Sequence, residues 1–204
     1  ESYFYNNQEL KLLYQKIEGN ILELAVKLAG SLGMRREEIC GLKWENVDLQ
    51  RHLVLIREAR TAYGATIVQK ETKNRSSVRT LYLPDEVYLL LEQEQARQQQ
   101  ERCLQSPTYN PTDHVILDAK GVPYSPNALS LAFTRFVKKN DLPRLTFHGL
   151  RHTFATIASC QGASLFDIGK ALGHSTPATT GRIYTHLVDR THEELVQRVS
   201  DALK

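Results

Sequence analysis

The chain changes its hydrophobic period twice, which restricts it to a helical body interrupted by a small sheet. From Gln8 to Ile17 and from Ile21 to Leu32, apolar residues recur at three- and four-residue spacing. They are Leu10, Leu13, Tyr14 and Ile17, then Ile21, Leu22, Ala25, Leu28 and Leu32. This predicts two amphipathic helices, the second closed by Gly33, and a third from Arg35 or Arg36 to about Leu42. The pattern then becomes β-branched and apolar over His52–Arg57, Ala65–Gln69 and Val78–Leu83, with Tyr63-Gly64 and Asn74–Ser77 as turns. Those three runs are expected to form one antiparallel sheet.

Helical punctuation returns at Pro84. Proline and two acids, Asp85 and Glu86, suit the first turn of a helix running to about Cys103. A polar loop, Gln105 to Asp113, follows. Ser125-Pro126 opens a helix to about Asn140, and Thr146 caps one running to Gln161. Ser164 and Asp167 open another that Gly173 stops. Thr191 and Glu194 form a capping box for a last helix, whose Leu195, Val196, Val199 and Leu203 make one apolar stripe. The expected class is mixed α+β, mainly α-helical, with a small three-stranded antiparallel sheet.

At 204 residues the chain fits one sizeable domain. No apolar run approaches the roughly 20 residues of a membrane span. The opening Glu1-Ser2-Tyr3-Phe4 lacks the basic region and apolar core of a signal peptide, and it lacks Met. The expectation is a fragment or processed product. Cys40, Cys103 and Cys160 are odd in number and widely spaced, which argues against a disulfide framework or a thiolate zinc site and for a reducing, cytoplasmic setting.

The net charge of +3 decides little, but its distribution is uneven. From Arg51 to Leu83 seven basic residues face two acids, and from Arg135 to Arg151 five face Asp141. If the fold joins them, these stretches make a phosphate-binding face. Charge alone is equally compatible with a solvated mixed surface.

His148 and Arg151 lie three apart on a predicted helix and share a face. Arginine offers a planar fork of donors for phosphate oxygens, and histidine moves protons near neutral pH. His148 and His152 also have the four-residue spacing of zinc peptidases, with His174 a third ligand on paper. The glutamate that such a motif needs is replaced by Gly149. Taken singly, each candidate has an ordinary structural reading. Arg35 with Glu38 reads as a helix-surface ion pair, Lys73 as a hairpin lysine, and Tyr184 as a packing residue.

Together these segments resemble, in order, the motifs of the tyrosine recombinase (phage integrase) family. Gly33-Met34-Arg35-Arg36-Glu37-Glu38-Ile39-Cys40-Gly41-Leu42-Lys43-Trp44 is similar to the first-arginine motif, with Glu38 its supporting acid. Thr72-Lys73 ahead of Arg79-Thr80-Leu81-Tyr82-Leu83-Pro84 resembles the β-hairpin lysine motif. Thr146-Phe147-His148-Gly149-Leu150-Arg151-His152 resembles the H-x-x-R box. Leu172-Gly173-His174-Ser175 resembles the second-histidine motif, and Thr179-Thr180 with Tyr184-Thr185-His186 the nucleophile motif. Met34 stands where Leu is usual. One extra residue separates His174 from Tyr184, as in integrases of conjugative transposons and some phages.

The resemblance implies that residues 1–204 are a recombinase catalytic domain whose N-terminal core-binding domain is absent from this chain. Its implied catalytic set is Arg35, Lys73, His148, Arg151, His174 and Tyr184. Its implied partner is double-stranded DNA, on which copies assemble into a synaptic multimer, with the last helix docking in cis or on a neighbour. The chemistry is coherent without a metal, nucleotide or other cofactor. Two guanidinium forks stabilise charge gathering on a phosphodiester, His148 takes the tyrosine proton, and Lys73 protonates the leaving 5′-oxygen. His174 donates to the phosphate or positions it. Alternatives are a DNA-binding relative that has lost catalysis and, from HGLRH, a zinc peptidase. Type IB topoisomerases share the chemistry.

Overall fold

The structure, a computed structural model, describes residues 3–63, 66–71, 78–104 and 109–174. Lys73, Tyr184 and the helix expected over 191–203 lie outside the described residues. Seven α-helices are described: α1 (Asn7–Ile17), α2 (Glu23–Leu32), α3 (Arg36–Gly41), α4 (Asp85–Leu104), α5 (Pro126–Lys139), α6 (Phe147–Cys160) and α7 (Leu165–Leu172).

Local chemistry fixes their ends. The Asn6 side chain accepts from the Gln8 and Glu9 amides while Glu9 accepts from the Asn6 amide, closing a capping box on α1. Ser125 caps α5, with Pro126 in its first turn, Thr146 caps α6 and Ser164 caps α7. Gly33 and Gly173 end α2 and α7 with positive φ, the left-handed backbone that glycine adopts without a Cβ penalty.

α2 is the central helix. It packs against α1, α3, α4 and α6, and its Ala25, Val26, Leu28 and Ala29 are fully buried. Gly33 is also a point of close approach: a Cβ there would lie 2.6 Å from Leu172 and 2.7 Å from Phe154. The junction after α2 is thereby packed against α6 and α7, which sets where Arg35 emerges.

The sheet differs from expectation in its membership. β1 (Val47–Asp48), β2 (Leu53–Ile56) and β5 (Arg79–Tyr82) form the three-stranded antiparallel sheet, in the order β1-β2-β5. β3 (Glu58–Tyr63) and β4 (Thr66–Glu71) form a separate antiparallel hairpin, with Glu58 opposite Glu71 and Tyr63 opposite Thr66. The run predicted over Ala65–Gln69 therefore pairs with 58–63 rather than joining 52–57 and 78–83. The sequence EARTAY has weak strand character, but its small residues serve packing. Gly41, the last residue of α3, sits so close to Ala59 and Arg60 that a Cβ would meet backbone at 2.9 Å. Gln69 of β4 also donates to the Gly41 carbonyl at 2.8 Å, holding the hairpin on α3.

Candidate active site

Arg35 precedes α3, His148 and Arg151 lie on α6, and His174 follows α7. These four residues, drawn from three separate stretches of the sequence, line one cavity of about 590 Å³. Arg36, Ser130 and Thr134 contribute further polar lining.

The arginines are held by the scaffold. Arg35 donates through Nη1 to Glu38 at 2.8 Å and through Nη2 to the Gly173 carbonyl at 3.2 Å. Arg151, buried, donates through Nη1 to the Gly33 carbonyl at 2.6 Å and through Nη2 to the Leu172 carbonyl at 2.7 Å. Glu38 is not the exposed partner that its local spacing suggests; its side chain is only 2% accessible. Burial pushes its pKa up, but the hydrogen bonds and charge of Arg79, then Arg35, outweigh that and lower it to about 2.

The motifs in the sequence give Arg79 a place beside the hairpin lysine but no role in the site. Its guanidinium forks onto Glu38, Nη1 to Oε1 at 2.9 Å and Nη2 to Oε2 at 2.8 Å, while Nε donates to the Ala171 carbonyl at 2.7 Å. The available signal was strand alternation: Arg79 lies two residues from buried Leu81, on the same face of β5. A cation on an inward face needs a buried partner. Three consecutive carbonyls at the end of α7, those of Ala171, Leu172 and Gly173, thus receive Arg79, Arg151 and Arg35. Helix C-terminal carbonyls lack intrahelical partners and carry partial negative charge, so they suit such donors.

The histidines sit in a cationic environment. Crowding by the protein, together with Arg151, Arg35 and Arg79, lowers the His174 pKa to about 4, so it is neutral near pH 7. The His148 pKa is also lowered, first by desolvation and then by Arg151 and Arg35, with Glu37 opposing. A neutral imidazole can accept a proton. Nε2 of His148 lies 2.8 Å from Nε2 of His152, so one ring donates and the other accepts. Gly149 has a packing reason to be glycine: a Cβ would fall 2.6 Å from the Tyr3 carbonyl oxygen. The zinc-peptidase glutamate has no room at that position.

Lys73 falls in 72–77, between β4 and β5, and Tyr184 falls in 175–204; both segments are outside the described residues. Arg79 opens β5 after the Lys73 segment, and His174 lines the cavity ten residues before Tyr184.

The fold is the one seen in tyrosine recombinase catalytic domains. The chain belongs to the phage integrase family, whose profile matches residues 4–191. It is 25% identical over 211 residues to a XerC-like tyrosine recombinase of Caldanaerobacter subterraneus subsp. tengcongensis, covering 97% of this chain and 54% of that protein. It is 25% identical over 171 residues to the ICEBs1 integrase of Bacillus subtilis, covering 84% of this chain and 46% of the relative. The chain thus spans about half the length of these curated relatives. Among solved structures, the Tn1549 transposon integrase in complex with transposon right-end DNA superposes with a TM-score of 0.80 at 22% identity, covering 97% of this chain and 66% of that one. XerA recombinase superposes with a TM-score of 0.73 at 24% identity, covering 96% and 64%. Among the described residues no helix is long and apolar enough to cross a membrane.

Proposed function

We propose that this chain is the catalytic domain of a site-specific DNA recombinase or integrase that cuts and rejoins strands through a 3′-phosphotyrosine. The observation that carries the reading is the convergence of Arg35, His148, Arg151 and His174 on one cavity from three separate parts of the fold. Phosphoryl transfer needs positioned positive charge more than covalent help from the protein, and two guanidinium groups supply it. Tyr184 attacks the phosphorus and the 3′-phosphotyrosine bond forms as the bond to the 5′-oxygen breaks. The tyrosine proton passes to His148, and Lys73 gives a proton to the departing 5′-oxygen. One phosphoester replaces another, so the reverse attack by the 5′-hydroxyl reseals the strand without an energy source.

Double-stranded DNA is the substrate, consistent with the DNA-bound state of the Tn1549 integrase that this fold resembles. Copies assemble on DNA into a synaptic multimer, with the C-terminal segment as the coupling element. A separate N-terminal domain completes the grip on the duplex.

The test uses a nicked duplex, selected for cleavage from a random-sequence pool, that traps the covalent adduct. Tyr184→Phe should abolish the adduct and keep DNA binding, because only one hydroxyl is lost. An adduct that survives in Tyr184→Phe overturns the assignment, and a wild-type protein that binds DNA but forms an adduct with no member of the pool favours the inactive DNA-binding alternative.

A further inference from the structure

We propose that Arg79 is a positioning residue of this site, fixing Glu38 and, through it, the Arg35 guanidinium against the end of α7. The inference rests on the reading of Arg35 as a phosphate donor. Arg79 is absent from the cavity lining and its side chain is only 7% accessible, so it acts through other groups. It touches the three elements whose relative placement matters most here. It belongs to β5, where it pairs in register with Ile56. Its fork grips both oxygens of Glu38 on α3, and its Nε holds the Ala171 carbonyl on α7.

The fork has a directional consequence. Bidentate pairing fixes the plane of the Glu38 carboxylate as well as its position. Oε1 of the same carboxylate also accepts Arg35 Nη1 at 2.8 Å, and Oε2 accepts the Arg35 backbone amide at 2.8 Å. Both ends of Arg35, backbone and guanidinium, are thus referred to a carboxylate that Arg79 orients. Packing at Gly173 is equally close: a Cβ there would lie 2.9 Å from Arg79 Nη1. Arg79 therefore sits beneath the turn from which His174 enters the cavity.

Charge adds to this. With Arg35 alone, Glu38 would form a neutral pair at the cavity edge. With Arg79 present, two cations share one buried carboxylate, and Arg151 adds a third positive charge nearby. The excess favours a phosphate whose negative charge grows in the transition state.

The test compares wild type, Arg79→Gln, Arg79→Lys and Arg35→Ala in the full chain, using single-turnover adduct formation on the selected nicked duplex. A single-turnover rate constant does not depend on the fraction of folded protein. DNA affinity and the pH profile are measured alongside. For Arg79→Gln the expected result is a fall of at least about tenfold, short of the about 10²–10³-fold typical of a lost direct donor, with DNA affinity unchanged.

Without Arg79 the burial of Glu38 is opposed by Arg35 alone, so its pKa rises and the rate declines at a higher pH than in wild type. Glu38→Gln combined with Arg79→Gln should lack that displaced acid limb, which a merely structural role for Arg79 would not produce. Arg79→Lys keeps the charge and loses the fork, and it carries the same test if Arg79→Gln does not fold. A wild-type rate constant and pH profile in the Arg79 variants, beside an inactive Arg35→Ala, overturns this inference alone. A fully active Arg35→Ala overturns the underlying site.

Discussion

Glu38→Gln isolates the buried charge that organises the site. In the folded chain the carboxylate accepts four hydrogen bonds, from the Arg35 amide, Arg35 Nη1, Arg79 Nη1 and Arg79 Nη2, at 2.8–2.9 Å. Its pKa is lowered from 4.5 to about 2, despite burial, by Arg79 and then Arg35. That fall corresponds to about 3 kcal/mol of stability at neutral pH. A second route gives a similar size: removing one partner of a buried ion pair costs about 3–5 kcal/mol, because the other charge is left uncompensated. Glutamine keeps the shape but turns one acceptor into a donor that faces guanidinium N–H groups.

Because the folded pKa lies below the unfolded one, this stability is fully present above about pH 4.5 and is lost as the pH falls toward about 2. Denaturant unfolding at a series of pH values should therefore show Glu38→Gln less stable than wild type by about 3–5 kcal/mol at pH 7, with the gap closing on acidification below about pH 4.5. A gap below about 1 kcal/mol at pH 7, the scale of an exposed pair, would refute the reasoning. So would a gap that stays constant down to about pH 3.

Three further substitutions, at two positions, probe the turn after α7 and the histidine pair. Gly173→Ala places a Cβ at φ +65°, 2.9 Å from Arg79 Nη1. It should cost about 1–2 kcal/mol from the backbone alone, a loss of roughly 2–8 °C in melting temperature, and slow cleavage as Arg79 and His174 shift; an unchanged melt and rate would contradict it. His152→Gln keeps an acceptor for a protonated His148, whereas His152→Leu removes it. With Arg151, Arg35 and Glu37 unchanged around His148, the leucine variant should show a lower plateau rate and an acid limb moved to lower pH, and identical profiles for the two variants would exclude the pairing role.

Helix ends were legible because capping is local. Ser125, Thr146, Ser164, Gly33 and Gly173 act where the sequence places them, since each needs partners only a few residues away. The second helix begins two residues later than its apolar pattern suggested, because Asn20 closes a turn onto the Leu22 amide first. Sheet membership was less legible. β3 owes its place to the close approach of Gly41 to Ala59 and Arg60, a tertiary fact that no window of EARTAY contains. In the site, Arg35, His148, Arg151 and His174 could be named because each belongs to a short motif. Glu38 was named, but its burial was hidden, because the cation that buries it lies 41 residues away on another element. Arg79 was hidden for the same reason, although buried Leu81, two residues on, marks its face of β5 as the inward one.

The hydrogen-bond pattern explains why this site uses arginine rather than lysine at its centre. Arg35 and Arg151 each direct two separate nitrogens to two separate elements: Arg35 to α3 and the end of α7, Arg151 to the end of α2 and the end of α7. Both also line the cavity. A guanidinium has five N–H donors in a fixed plane, so anchoring it through two of them also sets the direction of the rest. An ammonium concentrates its three donors on one freely rotating atom, so two carbonyls on different helices would leave it a single donor with no fixed plane to aim it. In the proposed reaction the lysine of the expected set, Lys73, has the opposite task. A proton donor to a leaving oxygen must give up its proton and approach a group that moves, and a single nitrogen on a flexible stem suits that. The division of labour follows: arginines are built into the junction of α2, α3, α6 and α7, where position is fixed by packing. The lysine lies on the connection between β4 and β5, away from that junction in the sequence.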